Sequence, residues 1–487
     1  MVEMDPYLTD LLETVALKQW ERHINAVEPA EQVFDLMPLP TTLRGRKIVD
    51  NIEMHFRAGE ELFETELSLL PGFGDGMGGK SPNMHRVHRG AHGGPDTSSC
   101  RSCHHRGGDD GSGEYTEAAL IDGDGEHASS ATERNPPALH GGGVMQILAR
   151  EITSNLQTQL HREPKSEPVY VTISYDDVIF GTVVIMPDGR IDTRDVKSID
   201  PDFVVRPFGW KGTHSTLRRF AEEAFQVHHG LQSTALVQQR RLFGPLPQNA
   251  SPATRALMGQ LGKGKGDDPD EDNASQDIAG SQITAMAVYL TLLPMPVIEP
   301  PRSPDLLAAW REGMATFSEI GCADCHKPKW KIFGPTSVEH GEDATSEGSL
   351  SLDLTKDIRN GPSLRNRDLT ASGYQVFVFS DLRRHDMGPE LADRTPTERG
   401  LAPHVGDHVG PNIPASYFLT RPLWGLADSG PYLHDGRAST IHEAILAHGG
   451  EAEQIRNTYR TLPPERQRAL QIFLFSLTRP MLPEVTP

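Results

Sequence analysis

Apolar residues recur at steps of three and four through several parts of the chain, the period of an amphipathic helix. Between 306 and 320 they fall at Leu306, Leu307, Trp310, Met314, Phe317 and Ile320. That spacing predicts a helix ended by Gly321. The same period predicts helices at about 6–26, 52–69, 136–161, 216–227, 278–293 and 464–477. One stretch changes period. Within 168–206, VYVTISY and VIFGTVVIM are β-branched and alternating, and Pro187-Asp188-Gly189 reads as a turn. Three stretches carry no period. Residues 71–135 are rich in glycine and histidine, 262–277 read as an exposed polar linker, and 331–375 read as a loop insertion. The pattern predicts a mainly α protein with a small β insertion and long loops.

The 487 residues suffice for two to four domains with ample core. Hydrophobic residues at 37% and charged residues at 23% are those of a globular chain. A formal net charge of −20 disfavours nucleic acid and anionic membranes as partners. No apolar run approaches the ~20 residues of a transmembrane helix. The first residues lack the basic and apolar regions of a signal peptide. Asp268, Asp270 and Asp272 alternate as in a calcium loop, but its glycine and closing glutamate are missing. A solvated linker is the plainer reading there, with calcium as the alternative.

The chemistry sits in the cysteines. Cys322-Ala323-Asp324-Cys325-His326 is a C-x-x-C-H run, the attachment signature of a c-type haem. Cys100-Arg101-Ser102-Cys103-His104 is a second, and the two use all four cysteines of the chain. In this reading the thiols bond the porphyrin, and His104 and His326 become axial ligands. The expectation is two covalently bound haem c groups and no disulfide. A zinc or dithiol pair is the alternative, and the histidine after both motifs argues against it. Covalent haem also implies a periplasmic or otherwise exported protein, although no signal peptide is visible.

The two halves repeat more than the motif. Arg134 to Gly141, Phe208-Gly209-Trp210-Lys211-Gly212, Ser215-Thr216-Leu217, Glu222-Glu223-Ala224 and His228-His229-Gly230 follow the first. Thr420 to Gly425, Tyr432 to Arg437, Ser439-Thr440-Ile441, His442-Glu443-Ala444 and His448-Gly449 follow the second. Two copies of one unit explain this order and set His229 opposite His448. The expected division is a helical extension at 1–50 and a first haem domain at 51–262 with its β insertion. A linker and connecting helix at 263–300 and a second haem domain at 301–487 follow.

The block RPLWGLADSGPYLHDGRASTIHEAILAHGGEA, with FSDLRRHDMGPELAD before it and VRPFGWKG in the first half, resembles the bacterial di-haem oxidoreductase (thiol-oxidoreductase-like) family. That family is related to di-haem cytochrome c peroxidases. The resemblance implies two tandem cytochrome c-like domains and peroxidase-like chemistry. Electrons would come from a small redox protein of cytochrome or cupredoxin type and enter at the second haem. Peroxide or another small oxidant would react at the first. It also implies that His448 is the sixth ligand of the second iron; Met387, a thioether, is the rival. For the first iron the repeat nominates His229, with His228 beside it and Met145 and His140 weaker. The family often has methionine at the position of the paired histidines. Trp210 corresponds to a tryptophan that related enzymes keep between their irons; a core tryptophan is the alternative. Glu222 and Glu223 are candidates for a distal general acid or are simply helix carboxylates. Two functions follow: a peroxidase-like enzyme, or a non-enzymatic electron-transfer cytochrome, alone or as a subunit of a larger redox complex.

Overall fold

The computed structural model describes residues 52–69, 73, 96–106, 111–113, 118–121, 127–160, 166–233, 277–339, 350–356, 364–365, 369–394 and 413–479. The expected helix at 6–26, most of the glycine- and histidine-rich stretch, and Asp268, Asp270 and Asp272 lie outside them.

Helix α1 (Ile52–Glu64) buries Phe56, Leu62 and Phe63. The first cysteine pair forms the one-turn helix α2 (Cys100–Cys103), capped by the Ser99 hydroxyl. Helix α3 (Gly142–Leu160) is buried along most of its first half, and Leu156 continues that face. Helix α4 (Leu217–His229) starts on Thr216 and ends on Gly230 at φ +75°, a left-handed cap that favours glycine. Helix α5 (Gly280–Leu292) completes the first half. In the second half, α6 (Pro304–Glu319) leads into α7 (Cys322–Cys325), with Gly321 at φ +95° making the corner. Then follow α8 (Ile441–Ala447), α9 (Glu453–Thr461) and α10 (Pro464–Leu474).

A mainly α chain of two tandem cytochrome c-like domains is not what the structure shows. Of the described residues 39% are helical and 19% lie in strands. The strands make six small antiparallel sheets among those residues. The expected hairpin is there, pairing Val169–Tyr175 with Val178–Ile185. Val171 and Ile173 face inward, while Tyr170 points out. The stretch read as a loop insertion also holds strands, at Trp330–Ile332, Thr336–Glu339, Leu350–Asp353 and Gly373–Val376. Its apolar residues Trp330, Ile332, Leu350, Leu352, Val376 and Val378 are buried with Phe63, Ile147 and Ile173 in the larger core. Short strands with one buried residue in two look like loops in sequence, because their periods are too brief to register. The smaller core gathers Phe317, Ile320, Phe379, Ile441, Tyr459, Leu470 and Phe473.

Two helix crossings depend on glycine. A Cβ on Gly59 of α1 would collide with the Ala285 carbonyl of α5. One on Gly313 of α6 would collide with the Ala469 carbonyl of α10. The first and last helices of each half therefore touch backbone to backbone. Gly313→Val should lower the unfolding free energy by roughly 1–3 kcal/mol through overpacking. Urea denaturation checks this, and an unchanged midpoint would mean the crossing is looser than described.

Candidate functional site

Each C-x-x-C-H run is a single helical turn, so its two thiols lie three residues apart on one face. None of the four cysteines is in a disulfide. Burial pushes the Cys100 and Cys322 thiols up to about 12.

His326 closes the second motif. Its ring centroid is 6.4 Å from that of His448, at 57° between planes. Two imidazoles each about 2.0 Å from one metal would have centroids about 6 Å apart. The pair thus has the spacing of two axial ligands. Met387 borders the same cavity, but His448 is the group opposite His326.

In the first half, His229 Nε2 lies 3.8 Å from Cys100 Sγ. His229 is buried, against Phe73 and Phe225. His228 turns away, with Nδ1 on Asp96 at 2.7 Å and its side chain 37% exposed. Of the paired histidines, His229 is therefore the buried one.

The four histidines share one detail. In each, Nδ1–H donates to a backbone carbonyl: His104 to Gly111 at 3.2 Å, His229 to Thr97 at 3.1 Å, His326 to Phe379 at 3.1 Å, His448 to Ala444 at 2.7 Å. That bond fixes the tautomer and leaves the Nε2 lone pair for a metal. Burial lowers His104, His229 and His326 to about 4 and also lowers His448, so all four rings are neutral at pH 7.

A cavity of about 310 Å³ runs from Cys322, Cys325 and His326 past His448 and Met387 to Trp424, Trp210 and His140. Its volume is in the range of small-molecule and cofactor sites. Apolar walls from Phe317, Leu423, Ile441, Leu470 and Leu474 suit a flat hydrophobic ring system. With the thiols on one side and facing imidazoles on the other, these residues fit a haem.

Sequence reasoning missed the group beside the second motif. His385 Nε2 meets Asp381 at 2.8 Å and its Nδ1 meets Glu451 at 2.8 Å. Burial works against the charged ring, but the Asp381 carboxylate overrides it and raises His385 to about 11. Cys325, Asp381 and His385 lie close enough to resemble a metal cluster. With a carboxylate on each nitrogen, the imidazolium has no lone pair to offer. The H-D-M-G run was the signal that could have marked it.

Trp210 lines the cavity; its Nε1–H donates to the Asn135 carbonyl at 2.9 Å. Glu223 is not brought there and pairs with His214. Glu222 is buried, taking hydrogen bonds from Arg219 and Ser233.

The turns around Trp210 and His434, which the order of the repeated pieces sets opposite each other, share one backbone form. Phe208 bridges to His214 and Tyr432 to Ala438. Gly209 and Gly212 have φ of +80° and +63°, and Leu433 and Gly436 have +74° and +70°. Thr216 and Thr440 then cap the following helices with the same dihedrals within a few degrees. Trp210 thus stands in the first half where His434 stands in the second. The two rings meet edge to face at 6.4 Å.

The neutral histidines give a pH dependence with a definite sign. Unfolded, each has a pKa near 6.5. Between pH 6.5 and 4 the unfolded chain binds up to three more protons, so stability falls as pH falls through that window. In a haem-free variant with all four cysteines replaced by alanine, the slope should reach on the order of 4 kcal/mol per pH unit. Urea unfolding at pH 7, 6 and 5 measures it, and a flat profile would rule out neutral burial.

None of the curated proteins matches the chain. A solved structure of hydrazine synthase from Kuenenia stuttgartiensis, pressurised with xenon, is similar over 42% of this chain and 57% of that one. At 18% identity and a TM-score of 0.24, this likeness carries no argument. The chain spans little more than half the length of that relative. Residues 366–477 match the sequence model of the family described as "Di-haem oxidoreductase, putative peroxidase", and this part of the chain carries that family's domain.

Proposed function

We propose that the chain is an exported di-haem c-type oxidoreductase with peroxidase-like chemistry. One observation supports this above others. In both halves a C-x-x-C-H histidine and a second buried histidine have Nδ1 held by a backbone carbonyl, which turns Nε2 away from that bond. Cys100, Cys103, Cys322 and Cys325 would hold two porphyrins covalently. Once bound, the haems would supply one-electron chemistry at iron.

The chain's own residues then have distinct tasks. His326 and His448 clamp the second site from both sides and keep water away. A site so enclosed suits electron entry from a small redox protein. Trp210, on the cavity wall, stands between this site and the first half. Its N–H is tied to a carbonyl, which cannot take a proton, so the indole keeps its hydrogen. His229 covers the first site. A peroxide can reach that position only if His229 leaves, and Gly230 after it permits such a move. Glu223 is paired with His214, which weighs against its use as the general acid.

The second reading, an electron-transfer cytochrome, has an observation of its own: His229 is buried and anchored rather than displaced.

Denatured protein should retain two haems per chain in a pyridine haemochrome assay, and Cys322→Ala with Cys325→Ala should leave one. Haem extracted by acid acetone would exclude covalent attachment. His448→Met should raise the potential of one haem, since thioether favours ferrous iron relative to imidazole.

His229→Ala should give a high-spin first haem that consumes peroxide without prior reduction. Spin resonance and a peroxide assay report this. Low-spin spectra with no peroxide consumption, in the variant and in half-reduced native protein, would leave the electron-carrier reading standing.

A further inference from the structure

The cavity wall carries a cation that meets no carboxylate among the described residues. Arg421 lies deep in the protein, yet part of it remains accessible because it borders the cavity. Its guanidinium stands 5.4 Å over the ring of Trp210. Its one described hydrogen bond runs from Nη1 to the Gly209 carbonyl at 3.3 Å. A guanidinium has five N–H donors, so most of this one is unspent. The two carboxylates beside His434 are committed elsewhere. Asp393 takes both Arg134 and Lys211, and Asp435 takes Arg437. Burial lowers Arg421 to about 10, which still leaves it charged at neutral pH.

We propose that Arg421 is a carboxylate-binding residue of the cavity. A buried charge without a partner is costly, and a single anion entering the cavity would remove that cost. A planar fork of donors matches a carboxylate with two parallel bonds. Lys211, next to Trp210 in the chain, already donates to the carbonyls of Pro414, Ala415 and Tyr417 and cannot help hold a more highly charged phosphate. The walls on either side, Phe418, Leu419, Pro422 and Leu423, are apolar, so the rest of the occupant is hydrophobic. Two sources supply that chemistry: a propionate of a haem in the cavity, which rests on the function proposed above, or a free carboxylate substrate. In both, the anion also settles the charge that Arg421 places on the Trp210 ring.

The test compares native protein with Arg421→Leu and Arg421→Lys, after haem content has been measured. If a propionate is the occupant, Arg421→Leu lowers one midpoint potential and shifts a propionate bending mode in the resonance Raman spectrum. Arg421→Lys recovers part of both, and benzoate changes nothing. If the occupant is a free carboxylate, benzoate titrates the native absorption spectrum and Arg421→Leu weakens it by about ten- to a hundredfold. Potentials and propionate modes then stay put. An Arg421→Leu protein that matches native protein in potentials, Raman modes and benzoate response overturns the proposal. If the chain carries no haem, the di-haem reading has failed by itself. Benzoate titration of indole emission, with Trp210→Phe as control, then decides the role of Arg421 alone.

Discussion

The ammonium of Lys211 is wholly buried, and the joint between the two halves is built around it. It donates to the carbonyls of Pro414, Ala415 and Tyr417 at 2.8–3.2 Å and pairs with Asp393 at 2.8 Å. Its face lies 3.9 Å from the centre of the Phe418 ring. Arg384 reaches back from the other side, donating to the carbonyls of Lys211 and Gly212 and pairing with Asp200. Burial alone would raise Asp393, but Arg134 and Lys211 hold its carboxyl below the usual range. Removing one partner from such a network strands a buried charge, which costs about 3–5 kcal/mol. The network thus specifies one relative placement of the halves.

That placement decides the cavity. The turn 208–214 carries Trp210 on one side of Lys211, and the strand Tyr417–Leu419 leads directly to Arg421 on the other. Leu419 N–H donates to the Trp210 carbonyl at 2.9 Å, and Asn135 N–H to the His434 carbonyl at 2.7 Å. Residues from both halves are therefore registered by backbone bonds, which side-chain motion cannot loosen. A wall held this firmly keeps the geometry of the cavity from drifting.

Much of the site was legible along the chain. The two C-x-x-C-H runs, the glycine after α6 and the histidine–glycine endings of α4 and α8 are local signals. They depend on neighbours within one or two turns. Other features were invisible. The order of the repeated pieces sets Phe208–Gly212 opposite Tyr432–Arg437, but no sequence pattern tells that the Trp210 and His434 rings meet edge to face at 6.4 Å. The strands at 330–376 were read as loops because each is two to four residues long.

The sequence by itself determined where the cysteines and their histidines stand, and which helices carry them. Covalent chemistry and helical period act over a few residues, so they survive in one dimension. Only the tertiary structure decided which second histidine is buried, that His385 is clamped between carboxylates, that Glu223 is spent on His214, and that Arg421 meets no carboxylate among the described residues. Burial and charge pairing sum contributions from segments hundreds of residues apart, and no local pattern records that sum.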